Sequence, residues 1–397
     1  TVNQSADMAN NVSPLSTSAA GLSDVVNMGT INATNVEVIG KSIRFLNDAN
    51  VTVTNSPVVL RTDTANDGTA HIGYVSGSPI AAGKYTVNNA AATAADNYYQ
   101  LVRTTTEFQN INNDLAKNYM LANDIDMEGV AHTPIGGNSN ADFTGKFDGN
   151  FFQVKNFTIP TGTGAYAGLF GKTTGARIEN LGVVNATIMG NNVRGSGGAV
   201  PVNFTGGIVA HATGSTLKNV YTGTGVTLDG EDMGIGGIAG YTNHTSIDSA
   251  YSKATIGEGG GIIGWSDAGT VVTDSYSDVK IRAGASGTYF VYLIDPAAQT
   301  TIKNSYAIGS TFTWVPTAPG ITNSYTIDKT TGKATPFGST TAVDAHVSSS
   351  YSGWDINNNG APGAKWRIYE GRTTPMLTAF MNGTATATYK YRYFNAD

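Results

Sequence analysis

The chain of 397 residues has no cysteine, which excludes disulfide staples, thiolate metal sites and thiol nucleophiles. Small secreted domains usually rely on disulfides. A large β-protein without them is more typical of bacterial export, where a cysteine can stall unfolded passage through a membrane. Charge is scarce as well. Only 13% of residues are Asp, Glu, Lys or Arg, against about a quarter in ordinary globular domains. Solubility therefore rests on hydroxyls and amides rather than on charged helix faces. The net charge is −6 and no basic stripe is visible, so no nucleic-acid partner is expected. Apolar runs such as Phe290–Ile294 and Gly261–Trp265 are far too short to span a bilayer. The chain opens Thr-Val-Asn-Gln, without a Met or an apolar leader core. It reads as an excised, monomeric fragment of a longer polypeptide.

What is abundant points one way. Glycine accounts for 49 residues and tyrosine for 19, and 40% of the chain is hydrophobic. Thr, Val, Ile and Tyr favour strands, while Gly, Asn and Asp favour the turns between them. This is the composition of many short strands and tight turns.

An internal repeat confirms the pattern. Its core is an apolar residue, a spacer, Asn, Asp or Ser, and then usually Tyr two positions on. It begins at Val154-Lys-Asn156, Ile178-Glu-Asn180, Leu217-Lys-Asn219 and Ile247-Asp-Ser249. It continues at Val272-Thr-Asp274, Ile302-Lys-Asn304, Ile321-Thr-Asn323 and, degenerate, Val347-Ser-Ser349. A second motif precedes it: Gly168-Leu-Phe-Gly171, Gly207-Ile-Val-Ala210, Gly237-Ile-Ala-Gly240 and Gly261-Ile-Ile-Gly264. Its first apolar residue lies nine or ten residues before the Ile-x-Asn position each time. The fixed spacing marks a constant unit of two strands and a turn, and the remainder of each repeat is loop. The glycines allow positive φ or close approach of neighbouring repeats. The Asn positions form a side-chain ladder, and the tyrosines a stacked column. Asp148-Gly149-Asn150 reads as a hairpin turn.

The fold class expected from these features is all-β, a right-handed parallel β-helix (β-solenoid) with extra-helical loops and a short helix near 105–115. Thr105 or Thr106 would cap that helix. Looser period-2 runs, such as Val36–Ile39 and Ile43–Leu46, extend the solenoid to the N-terminal third. Four segments follow: β-helix repeats over 1–88, a linker with the helix over 89–118, the regular repeats over 119–351, and a closing segment over 352–397. That tail is expected to pack across the last repeat, whose strand edges need cover.

Tyr119–Asp126, Thr133-Pro-Ile-Gly136, Phe143–Asn150, Gly168–Gly171 and Ile178–Gly182 together resemble bacterial GLUG-motif proteins. These are exported, adhesin-like proteins related to filamentous haemagglutinin. Trp366–Gly371 and Thr374-Pro-Met-Leu377 resemble the way such regions end, and the likeness covers roughly residues 100–381. Residues 20–88 are similar to late repeats of the secretion domain of two-partner-secreted exoproteins, though the Asn-Pro-Asn-Gly signature is absent. The resemblance implies a β-helix, export through an outer-membrane transporter, and a secreted or cell-surface location.

Catalytic groups are sparse. The five histidines show no metal-ligand spacing, and no carboxylate pair recurs at equivalent repeat positions. Asp124, Asp126 and Glu128 could hold a cation, but a turn role is the simpler reading. His211 occupies the position held by Tyr241 and Trp265 in later repeats, which implies a shared packing site. No catalytic residue, metal or cofactor is expected. The candidate ligand-binding residues are the aromatics Trp265, Tyr289, Tyr292 and Trp314, and the acidic loop residues Glu231 and Asp232. The function expected is that of an adhesin or exoprotein segment presenting loops to a host or cell-surface glycan or protein. Capture of a haem carrier or other nutrient protein, through the protruding loop Gly190–Asn203, is one alternative, and a polysaccharide-active β-helix enzyme is another.

Overall fold

The computed structural model describes residues 98–138, 140–191, 203–230, 234–257, 259–282, 300–308, 320–358 and 364–381, and the backbone of ten short strands between residues 2 and 91. The protein is all-β, with one short α-helix among the described residues. No described helix is long and apolar enough to cross a membrane. Two compact units are present. One holds Thr1–Arg103 and Lys117–Ala122, the other Thr104–Ala116 and Asn123–Gly383.

In the first unit the strands stack mainly in parallel. Val26–Met28 pairs with Ile43–Phe45, which pairs with Ala70–Tyr74. That strand pairs with Tyr98–Val102, and the latter with Tyr119–Leu121. Val36–Gly40, Val58–Thr62 and Tyr85–Val87 form a second parallel ladder. Antiparallel strands lie at its two edges, Val2–Gln4 and Ala90–Ala91. Tyr99, Leu101, Met120 and Ala122 make a small buried cluster.

The second unit opens with the helix, Thr105–Gln109, which tightens into a 3₁₀ turn over Asn110–Asn113. Its cap is Thr104, one residue earlier than the sequence suggests. Thr104 is extended, and its side chain accepts the N–H of Glu107 at 3.1 Å, satisfying a donor that the first turn leaves open. Phe108 and Ile111 are fully buried.

Parallel ladders follow, each strand paired with its equivalent one repeat later; four carry most of the repeats, and a short fifth joins Tyr166–Ala167, Phe204–Gly206 and Ile235–Gly236. The Gly-Ile motif begins the ladder Phe170–Thr174, Val209–Thr213, Ala239–Asn243 and Ile263–Ser266. The Ile-x-Asn motif supplies the next, in which Ile178, Leu217, Ile247, Val272, Ile302 and Ile321 stand in register. Beyond the Asn the chain turns a corner into a third ladder, in which Tyr221, Tyr251, Tyr276, Tyr306 and Tyr325 are aligned. The fourth runs through Thr158–Ile159, Thr187–Met189, Thr227–Asp229, Thr255–Ile256 and Lys280–Ile281.

The corner explains the motif. Asn180, Asn219, Ser249, Asp274, Asn304 and Asn323 all have φ between 47° and 58°, the left-handed region in which Asn and Asp are the best tolerated non-glycine residues. Asn219 Nδ2 donates to Asn180 Oδ1 at 2.9 Å, and Asn180 Nδ2 to Asp148 Oδ1 at 3.0 Å, so a short amide ladder runs along the first corners. The next residue is buried: Leu181, Val220, Ala250, Ser275, Ser305, then Ser324. These serines donate to the carbonyl two residues back, at 2.8–3.0 Å. All three also accept the N–H of the preceding repeat's residue, Ser275 from Ala250, Ser305 from Ser275 and Ser324 from Ser305. A buried hydroxyl thus keeps its partners. The glycine before each Gly-Ile pair answers to close approach rather than to positive φ. A Cβ on Gly236 would lie 1.8 Å from the carbonyl oxygen of Ala239, and one on Gly260 1.7 Å from that of Ile263.

Three sequence expectations need correction. Val154 aligns with Val183, not with Ile178, whose partner in the preceding repeat is Phe147. Asn156 and Asn185, both at positive φ, belong to the next corner along. Asp148-Gly149-Asn150 is not a hairpin: Lys146–Asp148 and Gln153–Lys155 both run parallel to the same strand, Arg177–Val184. Positive φ at Asn150 and Phe151 bends the chain without reversing it. At the other end, Ser348–Ser350 is a 3₁₀ turn rather than a further rung. The last strand of the third ladder, Tyr325–Asp328, is instead covered by antiparallel Lys333–Pro336, itself paired with Val343–Asp344.

The tail takes a different course from the one expected. It runs lengthwise along the tyrosine column. Tyr221, Tyr251, Tyr276 and Tyr306 stack at 4.8–5.0 Å with interplanar angles of 7–10°. Phe380 sits edge-on to Tyr221 and Tyr251, and Trp366 against Tyr276 and Tyr306. Tyr306 donates its hydroxyl to the carbonyl of Pro375 at 2.6 Å. Without the tail this aromatic strip would face water, so its burial is the strongest drive for the tail to dock there.

Candidate functional site

The first ladder carries a half-buried column at every second position. Lys172, His211, Tyr241 and Trp265 stand in register on successive strands. Their neighbours Thr173, Ala212, Thr242 and Ser266 are buried on the other face, which follows from the two-residue period of a strand. His211 and Tyr241 stack at 4.3 Å and 23°. Tyr166 and Phe204 flank His211 edge-on at 5.4 and 5.6 Å. Tyr241 donates its hydroxyl to Asp267 at 2.9 Å, and Lys172 lies 3.5 Å from Asp142. Burial, followed by the charge of Lys172, pushes the His211 imidazole down to about 4. It is therefore neutral at pH 7, as its place between rings requires. His211 and Tyr241 spend a face on each other and leave ring edges for a ligand. This pair suits polar contact along an edge better than ring-on-ring stacking.

Trp265 is thus placed in the column with His211 and Tyr241. Tyr289, Tyr292, Trp314, Glu231 and Asp232 lie outside the described residues, as does most of Gly190–Asn203. The acidic pair near the start of the repeats has structural partners. Asp124 accepts the N–H of Gln153 at 3.0 Å and Asp126 the amide of Asn156 at 2.9 Å. Lys155 lies 3.7 Å from Asp124 and 4.0 Å from Asp126. The bond from Asn156 is the main reason the Asp126 carboxyl sits below its ordinary range, with Glu128 N–H and Lys155 adding to it against a small opposing effect of burial. No group of three or more metal-ligating side chains occurs among the described residues.

A cleft of about 360 Å³ lies at the far end of the repeats. Its apolar lining is Ile308, Ile327 and Met376, all buried. Its polar lining includes Asp278, Asp328, Lys329, His346, Arg372, Thr373 and Thr374. Lys329 is ion-paired with Asp278. Asp328 accepts the N–H of Thr330 and the hydroxyl of Thr331, bonds that lower its carboxyl pKa. His346 Nδ1 is 3.3 Å from Asp344. Sequence reasoning missed this cleft. Its residues come from the third ladder, the antiparallel cover and the tail, and the two that stand in a motif, Thr374 and Met376, carried no expectation of a ligand.

A protein named Halomucin, from Haloquadratum walsbyi, is 31% identical to this chain over 218 residues. The match takes in 52% of this chain and 2% of that protein, so the chain spans a very small part of the curated relative it matches. No family model matches the chain, and no solved structure does.

Proposed function

We propose that this chain is a stretch of right-handed parallel β-helix from a secreted or surface-displayed exoprotein, and that it works by binding rather than by catalysis. The observation that carries the reading is the in-register stacking of six Ile-x-Asn repeats around common corners, the arrangement of a solenoid with one rung per repeat. Such a stack is a rigid spacer with columns of identical positions on its outside. The likeness to bacterial GLUG-motif and haemagglutinin-like adhesins agrees with it. The match to Halomucin, whose name sets it among mucins, agrees with a surface or secreted setting.

The ligand class is a surface glycan or a glycosylated protein, met by the column of Lys172, His211, Tyr241 and Trp265 and by the cleft beside Arg372. The test is a glycan array and a pull-down from host fluid with the whole chain. Retention of a defined glycan or glycoprotein is expected. Release of reducing ends from an acidic polysaccharide, abolished by one carboxylate substitution, would overturn the binding reading in favour of an enzyme.

A further inference from the structure

We infer that the cleft between Asp278, Asp328 and Arg372 is a binding site for an acidic sugar, a uronic-acid-type residue that presents one carboxylate and several hydroxyls. The inference deepens the binding reading above and rests on it.

The first observation is Arg372. Arg372 lines the cleft and is exposed. Among the described residues it has no ion pair, and only its backbone N–H makes a hydrogen bond, to Tyr369. The other ionisable groups around it are engaged: Lys329 by Asp278, His346 by Asp344, and Asp328 by its own turn. An arginine in a concave site with an unused planar fork of donors is suited to a carboxylate, which it binds in bidentate fashion.

The second observation is what surrounds the fork. Asp278 keeps Oδ2 as an acceptor while Oδ1 takes Lys329. Thr373 accepts the N–H of Tyr369 at 3.0 Å, and its own proton remains to donate. Thr374 adds a second hydroxyl to the lining. Carboxylate oxygens supply acceptors and the hydroxyls supply donors, both of which a ring of sugar hydroxyls requires. Met376, Ile308 and Ile327 give an apolar wall for the C–H face of such a ring. The volume, about 360 Å³, lies at the small end of ligand sites and suits one or two sugar residues rather than a long chain.

The test is titration calorimetry of the whole chain with D-glucuronate, D-glucose and acetate, with methyl NMR at Met376 and Ile308 to locate binding. Glucuronate is expected to bind and to shift both methyl signals. Glucose and acetate should each bind at least tenfold more weakly. Arg372→Gln should weaken glucuronate at least tenfold and bring it level with glucose. Arg372→Lys should recover only part of the loss, because a point charge lacks the fork. Arg372 is exposed and its side chain is unpaired among the described residues, so neither variant should alter the fold, and circular dichroism checks that. Acetate binding as tightly as glucuronate would overturn the sugar assignment. Undiminished glucuronate binding by Arg372→Gln, or none by the native chain, would overturn the site. If glycan-array binding persists in either case, the broader reading stands. If array binding is absent too, both fall.

Discussion

Trp366 donates its indole N–H to Oδ1 of Asp274 at 3.0 Å, and Asp274 occupies a left-handed corner of the repeat. The equivalent residues in register are Asn180, Asn219, Ser249, Asn304 and Asn323, so the one acid in the row stands where the tail docks. Lys365 completes the junction, with Nζ 2.7 Å from Asp248 and 3.0 Å from Asp274. Burial works to lower the Lys365 pKa, but the two carboxylates outweigh it and hold the pKa above the ordinary lysine value. That contribution is complete below pH 10.5 and fades as pH rises through the folded-state value.

Asp274 can be divided into its two roles. Asp274→Asn keeps the corner and an acceptor for Trp366 but loses the charge, and should cost about 1 kcal/mol. Asp274→Ala also loses the acceptor and puts a poor residue at positive φ, and should cost about 2–4 kcal/mol. Urea unfolding followed by tryptophan fluorescence measures both. Equal losses in the two variants would mean that the indole bond contributes nothing.

Truncating the middle of the tyrosine column should be severe. Tyr276 is stacked on Tyr251 and Tyr306 and lies against Trp366. Tyr276→Ala should lose about 3–5 kcal/mol and release the tail to limited proteolysis before the ladders unfold. Gly182 tests the same face differently. A Cβ there would lie 2.3 Å from the Tyr221 ring, so Gly182→Ala should destabilise although it adds only a methyl group.

Ser249 is the poorest residue in the row of corners, with φ 58°. Ser249→Asn should stabilise the protein by about 0.5–1 kcal/mol, because Asn tolerates the left-handed region and can join the amide ladder. Asn304→Ala, at φ 50°, should cost about 1–2 kcal/mol. Thermal melts of the two variants should therefore move in opposite directions, and a fall in both would refute the argument from backbone conformation.

Acid should weaken the protein before its carboxylates protonate. Burial lowers the His132 pKa to about 4, against its bond to Leu169 O at 2.8 Å. Between pH 6.5 and 4 the unfolded chain holds the proton and the folded chain does not, so stability falls as pH drops through that window. A fully buried group with that shift loses roughly 3 kcal/mol across it. His211 adds a smaller loss of the same sign, being only half-buried. His132→Gln keeps a donor and does not titrate. It should flatten the difference between chemical melts at pH 7 and pH 4.5.

Much of the architecture was legible because the corners impose a rule. Only a few residue types accept positive φ, so Asn, Asp and Ser recur there and mark the period. The same rule misled at Val154. Asn156 also turns a left-handed corner, and sequence alone does not say which corner an Asn belongs to. The tail was legible as cover but not in its position, since a strip of tyrosines reads as core until its exposed face is seen. Asp274 held the missing clue, an acid among amides. The cleft left no sign, because Asp278, Asp328 and Arg372 are ordinary surface residues until three separate segments meet. Of the proposed ligand residues only Trp265 falls within the described chain, in the column with Tyr241.

A stack in which each rung touches only its neighbours melts piecemeal, rung by rung. The tail changes that. Phe380 reaches Tyr221 and Trp366 reaches Tyr306, so one segment fastens four rungs at once and the stack should melt as a unit. It also sets an order of events. The aromatic strip stays bare until the chain as far as Phe380 is available, so in N-to-C synthesis or threading the locking step comes last.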